Sequence, residues 1–497
     1  METLSLFLGG FATVLQPSYL GFALIGCILG TMVGVLPGIG PAAGTAILIP
    51  ITAVMDPTGS IIMLAAIYYG AMYGGTITSV LINTPGEAAS AVTCLDGYQM
   101  AKQGRAGPAL AVAAIGSFIG GMIATIGLVV LALPLTKLAL TFGPPEIFAL
   151  LIVGLAFVTA LANQSMVRAM IAAVLGMLIA QVGIDPIMGT GRYTFGTPEL
   201  YDGFDIVAVI MGLFGLGEIL TNAEARARGV FAHKVSSVYL SREDMKASAA
   251  PIARGTLIGF PLGLIPGLGS MIPTFLSYAV EKRLSKTPEK FGTGMIEGVA
   301  GPETANNAYA NAAMIPLFTL GIPSSPTIAV LMGAFMINGL IPGPSLFIEH
   351  SEFVWAVIAS LVVGNAILLV LNLPLIPLWV QLLKVPYPIL VTIIVVFCII
   401  GVYSLNNSVF DIWVALAFGV AGYLLRKLDI PVAPLVLTLV LTPMIERALR
   451  QSLEMSNGNF GIFFERPLAL TLLSVALAAL LLSSLRVFRK VQADSEI

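Results

Sequence analysis

Glu303, Asn306 and Asn307 stand three and four residues apart in Pro302-Glu303-Thr304-Ala305-Asn306-Asn307, within otherwise apolar surroundings. On a helix this spacing sets the carboxylate beside both amides within one turn. A carboxylate with amide oxygens suits a hard monovalent cation such as Na⁺, and the carboxylate alone can carry a proton. With Thr319, these residues are the candidate site for a coupling ion. The competing reading is a polar helix start, with Glu303 merely favourable to the helix dipole.

Polar residues also interrupt apolar runs at Gly38 to Thr45, Ser79 to Ser90 and Thr319 to Thr327. Gly-Val-Leu-Pro-Gly-Ile-Gly at residues 34 to 40, which runs into the first, echoes Gly-Leu-Ile-Pro-Gly-Leu-Gly at residues 263 to 269. Pro flanked by Gly or Ser breaks a helix, and the helix that restarts offers free N–H groups and a positive dipole end. Such an end binds an anion without a basic side chain. The candidate substrate contacts are Pro37, Gly38 and Gly40; Thr84, Pro85 and Gly86; Gly267, Gly269 and Ser270; and Pro323, Ser324 and Ser325. Because no Lys or Arg falls within these clusters, an Arg fork on a carboxylate is not available there. For any single Ser or Thr, helix packing or bonding back to its own helix is the competing role.

Enzymatic chemistry finds no support. His233 and His350 lie far apart in loops, Cys27, Cys94 and Cys398 form no CxxC or His-paired spacing, and HExxH and Walker A patterns are absent. No Ser–His pair or intramembrane Asp pair suggests a protease. No catalytic residue and no cofactor is expected, apart from Na⁺ as a coupling ion. The net charge of −2, without a dense basic block, argues against nucleic acid.

The elements that must position these residues are membrane helices. Hydrophobic residues make up 57% of the chain and charged residues 10%, with a mean hydropathy of +0.97. This balance predicts an all-α polytopic protein embedded in a lipid bilayer. No Lys or Arg precedes Lys102, which argues against a cleaved signal peptide. A short surface helix is expected over 3–15. Spans are expected near 61–82, 108–133, 146–162, 166–184, 204–222, 354–372, 389–403, 409–425, 431–445 and 467–485, with a broken crossing through 303–340. The basic stretch 223–254 reads as a cytoplasmic linker, with an amphipathic piece near 236–248 and a separate apolar arm over 255–265. By loop charge, Arg447, Arg450 and Arg466 fall on the outer side against the usual bias, as does Arg192.

An internal repeat organises the whole. Laying Pro37 on Pro266 aligns Gly26, Gly30 and Gly34 with Gly255, Gly259 and Gly263, and a slightly larger offset lays Asn83-Thr84-Pro85-Gly86 on Gly321-Ile322-Pro323-Ser324. The halves are 1–235, with a hairpin near 24–55 and a broken helix near 83–87, and 236–497, with a hairpin near 255–280 and a broken helix near 319–327. The flanks of the first hairpin lack Lys and Arg, whereas Arg254, Lys282, Arg283, Lys286 and Lys290 surround the second. Opposite charge at corresponding loops predicts inverted-topology repeats, with re-entrant hairpins and broken helices moving in an elevator-like way. Paired breaks of this kind mark secondary-transporter sites. Hairpins with Gly breaks also line channels, so a passive pore is the rival class.

Four stretches carry a family resemblance: Gly-Val-Leu-Pro-Gly-Ile-Gly at 34–40; Tyr69-Gly70-Ala71-Met72-Tyr73-Gly74-Gly75; Asn83-Thr84-Pro85-Gly86-Glu87; and the run from Phe291 through Glu303-Thr304-Ala305-Asn306-Asn307 to Gly321-Ile322-Pro323. The chain resembles the TctA family, the large membrane subunit of bacterial tripartite tricarboxylate transporters. The likeness extends over nearly the whole chain. It implies ion-driven uptake of citrate or a related carboxylate across the inner membrane, together with a small membrane subunit (TctB type) and a periplasmic solute-binding protein (TctC type). A homodimer of the complex is left open. One departure is Ser324, where the family pattern leads one to expect a glycine; a hydroxyl there alters contact with the anion.

Overall fold

The computed structural model describes residues 2–36, 39–52, 55–160, 165–185, 188–224, 238–382 and 387–495. Pro37 and Gly38, two expected anion contacts, and His233 lie outside the described residues. After α1 (Glu2–Val14), the apolar run is split as its Pro and glycines require: α2 (Pro17–Val35) ends and α3 (Gly40–Thr52) begins. Gly40 has φ 66°, a left-handed conformation that costs glycine nothing. Asp56 caps α4 (Pro57–Ile82) by accepting from the Gly59 N–H, with Pro57 at the first position. α4 stops at left-handed Asn83; a 3₁₀ turn at Ala88–Ala91 leads into α5 (Thr93–Lys102), followed by α6 (Ala106–Ala139), α7 (Pro144–Ala160) and α8 (Met166–Ile179). A two-stranded ribbon pairs Gly183 with Arg192, and α9 (Ile206–Ile210) continues through a π-helical turn into α10 (Gly217–Glu224).

The same order then recurs. α11 (Arg242–Gly263) and α12 (Met271–Leu284) flank a break in which Gly267 and Gly269 have φ 79° and 72°. α13 (Glu297–Ala312) and α14 (Met314–Leu320) lead to left-handed Gly321, and α15 (Pro326–Ile337) restarts with Ser325 as its cap. The remaining helices are α16 (Pro344–Glu349), α17 (Ser351–Asn372), α18 (Ile376–Leu382), α19 (Tyr387–Asn406), α20 (Val409–Lys427), α21 (Val432–Met455), α22 (Ile462–Glu465) and α23 (Pro467–Ser495). One expectation is corrected here. The amphipathic piece and the arm after it form a single helix, α11, because Ser241 and Asp244 build a capping box and the helix continues through Pro251 and Pro261 to Gly263. Arg242, Lys246 and Arg254 therefore belong to the hairpin rather than to a linker.

Glycines fix how the hairpins pack. A Cβ at Gly26, Gly30 or Gly34 would strike the carbonyl oxygens of Met63, Ile67 and Ala71, so α2 lies backbone to backbone on α4. The contacts rise together, which makes α2 and α4 parallel. The intervening α3 must therefore run back, and the Tyr19 hydroxyl donates to Asp56 Oδ1 at 3.2 Å across the base. Gly255 and Gly259 meet the carbonyls of Gly301 and Ala305 in the same manner, and Gly263 meets that of Tyr309. α12 returns, and Arg254 Nε donates to Glu281 Oε1 at 2.8 Å across the second base. The partners on α4 and α13 correspond by the same displacement that lays Asn83 on Gly321.

The two broken segments run antiparallel. Asn338, just past α15, donates to Ser60 Oγ at the start of α4 (3.3 Å). Asp96 in α5 accepts from the N–H groups of Gly292, Gly294 and Met295, just ahead of α13 (2.9, 2.8 and 2.8 Å). The hairpin bases consequently lie at opposite ends of the bundle. Ile206 lies against Gly333 near the end of α15, placing the start of α9, and the described residues 188–205 that lead into it, at the first hairpin's end. There Arg192 and Arg450 pair with Asp185 and Glu446, and elsewhere Arg466 pairs with Glu146. Hydrogen bonds that it donates to Glu446 and Asp185 hold the Arg192 guanidinium above its ordinary pKa. Arg192, Arg450 and Arg466, three of the cations at odds with the charge bias, are thus offset by carboxylates.

Among the described residues, seven helices are long and apolar enough to cross a membrane. The apolar window of α4 is 100% buried within the protein, against 11% for Pro467–Ser484, so α4 is the core and α23 the rim. The chain is an all-α polytopic membrane protein.

Candidate functional site

α13 carries the polar residues anticipated from their spacing, and Gly298 through Ala312 are all buried. The partners differ from expectation. Glu303 Oε2 accepts from Thr76 Oγ1 at 2.6 Å and Oε1 from Thr93 Oγ1, donors on α4 and α5 rather than the neighbouring amides. Asn306 Nδ2 donates instead to Glu87 Oε1 at 2.6 Å. Asn307 Nδ2 donates to Ser117 Oγ on α6 at 2.7 Å and to the Glu303 backbone carbonyl at 3.3 Å. Helical spacing puts the three side chains on adjacent lines of α13, but the elements packed against each line decide their partners.

The network continues away from Glu303. Asn311 Nδ2 donates to the Asn307 carbonyl (2.9 Å), Asn311 Oδ1 accepts from Thr125 and Asn365, and the Tyr73 hydroxyl donates to Asn365 Oδ1 at 3.1 Å. Among the described residues, Oδ1 of Asn306 and of Asn307 has no hydrogen-bond donor, although both residues are 0% exposed. No Lys, Arg or His among the described residues bonds to Glu87 or Glu303. A cavity of about 10 Å³, room for one water, is lined by Tyr73, Thr76, Ser117 and Asn372. Asn372 Oδ1 is also without a partner. Thr319 is not joined to Glu303 by a hydrogen bond; its hydroxyl donates to the Ile315 carbonyl at 2.8 Å.

Glu87 is the residue that reading by motif passed over, although an ionisable side chain within an apolar run is itself a signal. Thr76, Thr93 and Ser117 gave no comparable sign, since a hydroxyl in an apolar helix ordinarily bonds back to its own backbone, as Thr31 does.

The expected anion contacts gather in two places. A Cβ at Gly86 would strike the Gly34 carbonyl and the Gly75 Cα, so the first break rests against the end of α2, and Thr84 and Pro85 beside it are exposed. The hydroxyl of Thr84 donates to the Ile82 carbonyl at 3.3 Å. A Cβ at Gly154 on α7 would touch both Pro266 and Ile322, which brings the second hairpin's tip to the second break. Pro323 and Ser324 are buried there. Ser324 Oγ donates to the Ala313 carbonyl at 3.1 Å, its own carbonyl accepts from the Tyr309 hydroxyl at 3.0 Å, and Ser325 Oγ accepts from the Ile328 N–H. Gly40 and Gly269 border open space, with nothing within 4 Å of a Cβ; Gly267 and Ser270 are half-buried beside the latter. Thr45 in α3 keeps a buried hydroxyl without a partner. α3 packs on α15 and α12 on the 3₁₀ turn at Ala88–Ala91, so each hairpin's returning arm meets the restart of the opposite segment.

Residues 20–437 match the tripartite tricarboxylate transporter TctA family. An uncharacterized 52.8 kDa protein in the TAR-I ttuC' 3' region of Agrobacterium vitis is 46% identical over 477 residues, 96% of this chain and 95% of that protein. A second protein of the same organism, in the TAR-II ttuC' 3' region, is 46% identical over 227 residues, which are 46% of this chain and 94% of its own length. No solved structure matches the chain. With a family match across most of its length and a near-full-length relative, this chain belongs to the tripartite tricarboxylate transporter TctA family, a family of transporters and not of enzymes.

Proposed function

We propose that this chain is the permease of an ion-coupled symporter that takes up a carboxylate across the bacterial inner membrane. The observation that carries this reading is the pair of antiparallel broken segments whose contact encloses two carboxylates without a basic partner. An ionised carboxylate deep in a membrane costs on the order of 3 kcal/mol or more unless compensated, so it is kept where it binds an ion. The coupling cation lies at Glu303, Asn306 and Asn307. The anion lies between the ends of α3 and α12 and the restarts after Gly86 and Ser324, held by backbone N–H groups and the free Thr45 hydroxyl. The halves 1–235 and 236–497 act as inverted repeats, and the hairpin-bearing core slides against a scaffold of the more regular helices. A TctB-type subunit and a TctC-type solute-binding protein complete the transporter, as the family's tripartite character suggests.

Reconstituted complex tests the reading. Accumulation of a carboxylate against its gradient, abolished by a Na⁺ or proton ionophore, is the expected result. Equilibration without accumulation would instead establish a channel. Thermal stabilisation by a panel of carboxylates, with and without Na⁺, identifies the substrate class.

A further inference from the structure

Glu87 and Glu303 flank the same turn of α4. Thr76 donates to Glu303, while the Glu87 Cγ lies where a Cβ on neighbouring Gly75 would meet it at 2.9 Å. The groups bonded to these carboxylates are donors: Thr76 and Thr93 to the two oxygens of Glu303, and the Asn306 amide to Glu87. Each of these groups can donate, so each carboxylate, once ionised, keeps an acceptor role towards the protein. Two ionised carboxylates flanking one turn of α4 in a poorly polarisable interior would repel. Nothing among the described residues offsets them. Beside each stands a fully buried amide oxygen without a donor, Asn306 Oδ1 next to Glu87 and Asn307 Oδ1 one helical turn from Glu303. Carboxylate oxygens, together with buried amide oxygens that receive no donor from the described residues, are the donor set of a hard cation.

We propose that the cluster takes two Na⁺ ions, one at Glu303 with Asn307 Oδ1 and a second at Glu87 with Asn306 Oδ1, so that two charges enter with each carboxylate. The proposal rests on the ion-coupled reading above and adds to it the second site and the role of Glu87. The amide of Asn306 serves the second site twice, its nitrogen holding Glu87 and its oxygen offered to the ion.

The test is direct binding of ²²Na⁺ to the purified complex, with choline chloride holding ionic strength constant. Wild type is expected to bind about two ions per permease, and Glu87→Gln and Glu303→Gln about one each. Asn306→Ala, which keeps both carboxylates, is expected to weaken binding at least tenfold. Size-exclusion profiles establish that each variant folds. One ion in wild type, unchanged in Glu87→Gln, overturns the second site. No bound Na⁺, with uptake still driven by a proton gradient, overturns the inference and leaves ion coupling standing. Uptake indifferent to every ion gradient overturns ion coupling itself.

Discussion

Asn307 occupies a position where one amide does two things. Its nitrogen holds Ser117 and its oxygen is free for an ion. Asn307→Ala is expected to cut gradient-driven uptake at least tenfold at unchanged expression, and full activity in proteoliposomes would remove the residue from the mechanism. Asp96 contributes stability rather than transport: buried, it gathers three backbone N–H groups and the Tyr278 hydroxyl at 2.8 Å. Leaving buried donors without an acceptor costs about 1–3 kcal/mol. Asp96→Ala should lower the complex's melting temperature clearly, and an unchanged melting curve would contradict that role. That Glu303 and the two asparagines share one stretch of helix was legible from spacing alone. Their partners were not, because Thr76, Thr93 and Glu87 come from the other half of the chain.

Between elements, the α2–α4 and α11–α13 contacts depend on having no side chain at the glycines. A Cβ at Gly30 or Gly259 would strike a carbonyl oxygen that cannot move without breaking its helix. Gly30→Val and Gly259→Val are expected to cost at least about 1–3 kcal/mol, the usual range for overpacking, and to abolish uptake. Gly21→Ala is the control, since nothing lies within 4 Å of its Cβ position. Detergent-extracted stability by thermal unfolding separates the two outcomes; equal loss in all three variants would refute the packing account. The breaks themselves were legible, because Pro and left-handed glycine act locally. The continuity of α11 was not, since charge within it suggested a linker while the Ser241–Asp244 cap and uninterrupted helix geometry prevailed.

Across the whole molecule, the opposite placement of the hairpin bases has a direct consequence. In a background lacking Cys27, Cys94 and Cys398, Glu349→Cys at the first hairpin's end and Lys286→Cys at the second's are both exposed. A membrane-impermeant maleimide applied to intact cells should label the first and spare the second until the membrane is opened. Labelling of both from one side would end the inverted arrangement.

Composition and the positions of Pro and Gly determined by themselves that the chain lies in a membrane, where its helices break and which side chains are polar within them. These properties follow from local backbone sterics and the transfer of apolar residues into lipid. Only the tertiary structure decided that α3 packs on α15 and α12 on the turn at Ala88–Ala91, and that α4 is enclosed by protein. It also decided that Glu303 is served by threonines more than two hundred residues away, with Glu87 as its counterpart. A buried carboxylate bonds whatever donor the packing of α4, α5 and α6 on α13 brings within reach, and that packing is a property of the assembled helices rather than of any one of them.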